Sequence, residues 1–327
     1  MKKSMLKLAA ATLAGALLSA TAAAQSPAAF PSRTVTLVVP FTPSSGSDII
    51  ARIIAPKLAA RWGQAVIVDN KPGASGNLGT QAVAKATPDG HTLLMAINTF
   101  TMAPAIYKNV NYDPVADFAP VTQLAETGFA FVVNPSVPAK DMKSLMELVK
   151  KSGGKINYAS PGNGTPHHLA MELFKSRRQL AMLHVPYKGI QGALTDLMGG
   201  QVQMMFATVH STRPLEQAGK LRFIAVTGEG RNPIAPEVPT FKEQGINELE
   251  GIDAWYAVLA PGRTPPNTIA RLNRDIAKVM NSADIKADLA AKGLVVKTST
   301  PAQLASVIRG DLVRWEKVVV DAHITAD

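Results

Sequence analysis

Apolar and polar positions along this chain switch repeatedly between the period of a strand and that of a helix. Residues 34–39 form a short, almost unbroken apolar run and read as a strand, and residues 47–62 follow with Ile50, Ile54 and Leu58 on one helical face. Pro56 is expected to kink that helix, since it has no N–H for the carbonyl one turn earlier. Residues 65–69 read as a second strand, the NKPGASGN turn opens a helix to about residue 85, and 91–97 give a third strand ending on polar Asn98 and Thr99. After the proline-bearing passage 113–120, strands are expected near 121 and at 129–133, 184–186, 202–206 and 221–226, with helices at 141–152 and 193–198. A strand at 254–259 and helices at 267–280, 283–292 and 301–322 complete the series.

Alternation of this kind is the pattern of a doubly wound α/β sheet. A chain of 327 residues exceeds what one core usually serves, so two lobes are expected. The last strand and its helices lack a partner sheet of their own and are expected to return to the first lobe. The division is then 25–122 plus 250–327 for the first lobe and 123–249 for the second, with two chain crossings acting as a hinge.

Two stretches repeat one device, a strand running into small residues that open a helix: VTLVVPFTPSSGSDIIAR at 35–52 and INYASPGNGTPHHLAMELF at 156–174. A helix start presents unpaired backbone N–H groups and the positive end of its dipole, which together cradle a carboxylate or phosphate. In the first stretch Ser45 and Asp48 have capping-box spacing, while Ser44, Ser45 and Ser47 bring hydroxyls. In the second, Thr165 precedes Pro166 as an N-cap and N1 pair, and Gly162 and Gly164 leave room for a ligand to approach the backbone. Ordinary capping accounts for each stretch taken alone; the occurrence of both at strand ends favours one cradle per lobe, gripping the two ends of a dianion. His168 either faces the cleft as a donor or packs inside.

The ends and the composition narrow the class. The opening MKKSMLKLAAATLAGALLSATAAAQ has the basic start, apolar centre and small-residue finish of a secretory signal peptide, 1–24, with a mature chain from about Gln25 in the periplasm. Its loss removes three lysines and no acid from a net charge of +10. The remaining basic residues are dispersed rather than clustered with aromatics, which argues against nucleic acid and leaves a solvated basic surface or the steering of anionic ligands. The chain contains no cysteine, which excludes thiol catalysis, disulfides and a lipid-modified cysteine. His167 and His168 are adjacent, not four apart, so no metal site is expected. No hydrolase elbow, P-loop or complete dinucleotide fingerprint occurs, so neither an enzyme nor a cofactor is expected.

From Pro31 to about Ile324 the chain resembles the Bug family, the TctC-like periplasmic solute receptors of tripartite tricarboxylate transporters. The stretches that carry the resemblance are VPFTPSSGSDIIAR, VDNKPGASGN, ATPDGHTLL, YDPVADFAPVT, INYASPGNGTPHHLA, HVPYKGIQGALTDLMGGQVQMMF and STPAQL. It implies a two-lobed periplasmic-binding-protein fold of the type II-like, Venus flytrap kind, with a ligand cleft between lobes. The implied function is capture of a carboxylate-bearing small molecule, an aliphatic or aromatic di- or tricarboxylate, for TctA/TctB-like membrane permease subunits. The receptor is expected to be a monomer; a ligand sensor for a signalling partner or a secreted hydrolase is the alternative.

Residue by residue, the resemblance makes Phe41 a pocket wall. It assigns first-lobe contacts to Ser44, Ser45, Gly46, Ser47 and Asp48, with Asn98 and Thr99 at the third strand end. Second-lobe contacts fall to Ser160, Asn163, Gly164, Thr165, His168 and Tyr187. Two departures stand out. Ser44 and Ser45 replace the family's Gly-Gly, and Ala207, followed by Thr208, replaces a frequent Asp. The missing acid argues against amino-acid ligands, because an ammonium would lack a partner. Arg213 is expected either to approach the cleft or to lie on a surface helix.

Overall fold

The computed structural model describes residues 30–107, 110–228, 230–249, 252–321 and 324. The expected leader and its cleavage point before Gln25 lie outside the described residues.

β1 (Val35–Val39) runs parallel to β2 (Val66–Asn70) and β3 (Thr92–Ile97), one on each side. Paired on both edges, it is buried at every residue but Thr36, which is why it reads as a continuous apolar run. β4 (Phe118–Thr127) ends this half of the chain, and a single residue, Gly128, separates it from β5 (Phe129–Val133) of a second sheet. That sheet adds β6 (Asn157–Ser160), β7 (Leu183–Pro186), β8 (Met204–Thr208) and β9 (Arg222–Val226) in the order β7-β6-β8-β5-β9. The chain then returns. β10 (Ala254–Pro261) inserts antiparallel between β3 and β4, and the two-residue β11 (Val295–Val296) caps the edge, giving the order β11-β4-β10-β3-β1-β2.

The expected return of the last strand to the first sheet is observed, but the sheets are mixed rather than wholly parallel. β5 enters its sheet directly from β4 and lies antiparallel to β8 and β9, and β10 comes back in the opposite sense to β3. β4 stays paired with β10 as far as Thr127, so the sheets divide at Gly128 rather than at residue 122.

Ten helices cover the described sheets, beginning with α1 (Gly46–Trp62), α2 (Asn77–Ala84) and α3 (Thr99–Ile106). α1 buries Ile50, Ile54 and Leu58 as the spacing requires, runs through Pro56 as one element, and stops at Gly63 in the left-handed conformation. α3 was not expected. Its Phe100, Thr101, Met102 and Ala103 are all buried, so it shows no polar face to betray a helical period. α4 (Met142–Lys151), α5 (Pro166–Arg178), α6 (Ile190–Met198) and α7 (Val209–Gln217) serve the second sheet; α8 (Pro266–Met280), α9 (Ala283–Ala291) and α10 (Pro301–Asp321) follow β10.

α10 belongs to two cores. Leu304 and Ile308 pack with Trp255 and Leu259 of the first sheet, whereas Trp315, Val318 and Val319 join Phe129, Phe131 and Phe206 of the second. The sheets therefore share a third connection besides the two chain crossings. The crossings are themselves tied: Thr227 Oγ1 accepts the Phe129 N–H at 2.8 Å and donates to Asp253, just before β10.

α1 is fastened to α8 through Asp275, which accepts from Arg61 Nε at 2.9 Å, Trp62 Nε1 at 3.0 Å and Arg271 Nε at 2.7 Å. Burial pushes its carboxyl pKa up, but the bonds from Arg271, Arg61 and Trp62 outweigh burial and hold it below the ordinary value. A depressed pKa contributes stability that is full above the unfolded value near 3.9 and is lost as pH falls through the lower folded value. Asp275→Ala should cost about 2 kcal/mol in urea unfolding at pH 7, a figure moderated because Arg61 and Arg271 reach solvent. The gap from the parent should narrow as the pH falls below the unfolded value near 3.9 and through the lower folded one.

Candidate functional site

A cavity of about 590 Å³ opens where the helix starts of the two sheets face each other. From the first sheet it is lined by Pro40 to Thr42 after β1, Ser44 to Ser47 at the start of α1, the 72–76 loop, Ile97 and Tyr256. From the second come Pro161, Gly162 and Thr165 to His167 at the start of α5, Tyr187 to Ile190 before α6, and Thr208, His210 and Ser211 at the start of α7. Prolines, Phe41, Ile97, Ile190 and two tyrosines make its walls largely apolar. Among the described lining residues Lys188 is the one with a formal charge at neutral pH, and none is acidic.

At the start of α1, the Ser45 side chain accepts from the Asp48 N–H at 3.4 Å, which leaves the Gly46 and Ser47 N–H groups at the open helix end. Gly46 is needed for packing: a Cβ there would lie 2.2 Å from Tyr256 Oη. Ser44 has φ 67, the left-handed region that costs a side-chain-bearing residue roughly 1–2 kcal/mol. Ser44 thus holds a conformation that a glycine adopts without that cost. Asp48 does not line the cavity. Its carboxylate accepts from the Ser44 N–H at 2.9 Å, from Arg52 Nε at 3.0 Å and from Asn70 Nδ2 at 2.9 Å, and so braces the loop from behind. Burial pushes its pKa up, yet those bonds bring it below the ordinary carboxylate value, so it stays ionised and turned away.

The second cradle is more occupied than its sequence implied. The Gly162 N–H goes to Ser160 Oγ at 3.2 Å, the Gly164 N–H to His168 Nδ1 at 3.1 Å, and the Thr165 N–H to the Gly162 carbonyl at 3.3 Å. Pro166 has no N–H to offer. Ser160, Gly164 and His168 are therefore buried supports of the loop, off the cavity, while Thr165 lines it. Thr165 Oγ1 donates to the Gly162 carbonyl at 2.8 Å and accepts the His168 N–H at 3.4 Å.

Asn163 also faces elsewhere. Its carbonyl accepts from Ser75 Oγ and Tyr107 Oη, each at 2.7 Å, which bridges the loop of the second sheet to elements of the first. Asn98 and Thr99 are buried behind Ile97, and Ala207 is fully buried in β8, so the Asp-to-Ala departure does not touch the lining. Arg213 lies on α7, paired with Glu216 and Glu237 and away from the cavity.

Of the residues expected from sequence, the structure brings Phe41, Ser44, Ser45, Gly46, Ser47, Thr165, Tyr187 and Thr208 together around one space. It adds Ser75, His167, Lys188, His210, Ser211 and Tyr256, which the sequence reading had not assigned. Ser75 lay in the quoted NKPGASGN turn, and His167 beside the expected His168. Tyr256 sits in a wholly buried strand and gave no signal.

Ser160 Oγ and His184 Nε2 are 2.7 Å apart, the reach of a nucleophile and its base. Ser160 is fully buried and already committed to Gly162, and His184 is sandwiched between the rings of His168 and Tyr158. The pair holds the loop, and neither residue lines the cavity.

Residues 50–324 match the tripartite tricarboxylate transporter family receptor, TctC. The chain belongs to this receptor family. Protein BugT of Bordetella pertussis is 32% identical over 292 residues, 89% of each chain. A structure of R. palustris Rpa4515 with adipate superposes with a TM-score of 0.86 at 32% identity, covering 90% of this chain and 99% of that one. MatC from Rhodopseudomonas palustris with bound malate gives 0.83 at 31% identity, covering 89% and 100%. The fold is that of the periplasmic binding proteins, and the family consists of solute receptors. No helix among the described residues is long and apolar enough to cross a membrane.

Because the receptor's α5 loop depends on Thr165 as both cap and donor, Thr165→Ala should lower stability by about 1 kcal/mol in urea unfolding. Thr165→Ser, which keeps the hydroxyl, should stay close to the parent. Equal midpoints for parent, alanine and serine variants would contradict the assigned role.

Proposed function

We propose that this chain is an extracytoplasmic receptor that captures a carboxylate-bearing small molecule in the cavity and delivers it to TctA/TctB-like permease subunits. The observation that carries this reading is the open α1 N-terminus, with its Gly46 and Ser47 N–H groups, facing the start of α5 across one space without an acidic side chain in its described lining. Helix starts favour an anion through aligned N–H groups, and hydrogen bonds to a charged acceptor are about twice as strong as neutral ones. An ammonium would find no counter-charge among the lining residues, which disfavours amino acids. Membership in the receptor family, and relatives whose structures hold adipate and malate, support the same class of solute.

The two sheets are taken as two lobes that meet at Gly128 and near Asp253 and close on the solute as a hinged pair. Export to the periplasm rests on the leader and the family, and a monomer suits a receptor that opens and closes freely. The burial of Ser160, and its commitment with His184 to the loop away from the cavity, supports binding without turnover.

Thermal unfolding of the mature chain from Gln25 should be screened against aliphatic dicarboxylates, citrate, aromatic mono- and dicarboxylates and acidic amino acids. A solute at 100 times its Kd adds about 2.7 kcal/mol to stability, so one carboxylate class should raise the melting temperature while amino acids leave it unchanged. Silence from every carboxylate would overturn the reading.

Closure has its own test. Ser75 Oγ and Tyr107 Oη both reach the Asn163 carbonyl across the cleft. Tyr107→Phe should weaken affinity for the identified solute by about 0.5–1.5 kcal/mol in calorimetry, through a smaller closed population. Unchanged affinity would mean that the bridge does not contribute to the bound state.

A further inference from the structure

His167 and His210 are the second residues of α5 and α7, and both line the cavity. The Nδ1 atom of each ring is buried without a hydrogen-bond partner. His167 touches the Phe129 ring edge-on, an apolar neighbour that supplies no polar partner. Two half-buried imidazoles, each with a sealed and unpartnered Nδ1, on adjoining helix starts are an unusual use of polar groups.

A neutral imidazole carries one N–H and one bare nitrogen. An orphaned buried N–H is rarer than an orphaned acceptor, so the bare nitrogen is assigned to Nδ1 and the proton to Nε2. Each ring then holds its N–H on the edge that is not sealed in the protein. Burial lowers the pKa of His167 to about 3, with His210 nearby adding to the effect, and burial lowers that of His210 to about 4. At neutral pH both are uncharged donors. Ser211, one residue further along α7, and Thr208 bring hydroxyls to the same wall, hydrogen-bonded to each other at 2.9 Å. No carboxylate of the described lining is available to accept from them. A solute that displaces water from these donors has to bring the acceptor itself.

We propose that His167 and His210 together receive a second carboxylate, so that the solute is a dicarboxylate whose other end is held at the start of α1. This rests on the reading of the cavity as a carboxylate site and adds to it which residues read the far end and how many acidic groups the solute has. A monocarboxylate would satisfy α1 and leave the two imidazoles unpaired. The apolar walls contributed by Phe41, Pro72 and Ile190 accommodate the hydrocarbon between the ends.

The test pairs dicarboxylates with monocarboxylates of equal length: succinate to suberate and terephthalate against butyrate to octanoate and benzoate, by calorimetry on the mature chain at pH 7.5. The parent should bind at least one dicarboxylate about tenfold or more tighter than its matched monocarboxylate. His167→Leu and His210→Leu should each shrink that ratio to about threefold or less and leave the monocarboxylate's affinity where it was. His167→Gln and His210→Gln, which retain an N–H at similar reach, should recover most of the ratio, and they also serve if a leucine variant folds poorly. A ratio unaffected by the leucine variants, or a monocarboxylate bound by the parent as tightly as its dicarboxylate, overturns the inference while leaving the carboxylate receptor in place. Failure of every probe to bind overturns both.

Discussion

Everything about the cavity depends on how abruptly the chain changes sheets. One residue, Gly128, separates a ten-residue strand of the first sheet from the strand that enters the second. A side chain there would press within 3.1 Å of the Thr227 carbonyl, while the Thr227 hydroxyl binds the Phe129 N–H and Asp253, where the chain goes back. Outgoing and returning segments are therefore held by one hydroxyl. With so little slack, the helix starts that follow β1 and β6 are set opposite each other, and no long linker blurs their separation.

The site built on that frame, on the proposed reading, handles an anion almost without using charge. Lys188, the one cation among the described lining residues, is exposed, and the Asp48 carboxylate is spent on bracing the loop behind α1. What remains is backbone N–H, hydroxyl and neutral imidazole. Fixed dipoles of this kind cost no countercharge when the solute leaves, which suits a carrier that must release its cargo as readily as it binds. The loops achieve this by satisfying their own groups first: Ser160 and His168 occupy the N–H groups of Gly162 and Gly164 and so keep the turn rigid.

Much of the frame was legible in the residues. The apolar run of β1, the helical spacing of Ile50, Ile54 and Leu58, and the Thr165-Pro166 helix start all fall where the pattern put them. The strand direction in both sheets was not legible, because β5 and β10 are buried on both faces and read alike in either sense. α3 escaped notice for a related reason, having no polar face. At the site, sequence spacing identified the cradles but not which of their N–H groups were already taken. Ser160, His168 and Asp48 moved from ligand contacts to supports once their partners were visible. Tyr256 and His210 came into view only because distant segments converge there.

α10 adds a mechanical consequence. Two crossing points define an axis about which two bodies can swing without restraint. A stiff rod anchored by Leu304 and Ile308 in one body and by Trp315 and Val318 in the other removes that freedom. For lobes that open as proposed, the rod would have to bend or its indole be drawn through a packed core, which bounds the gape. On the proposed hinge, such a stop would limit the width of the mouth and so the bulk of the solutes that can enter.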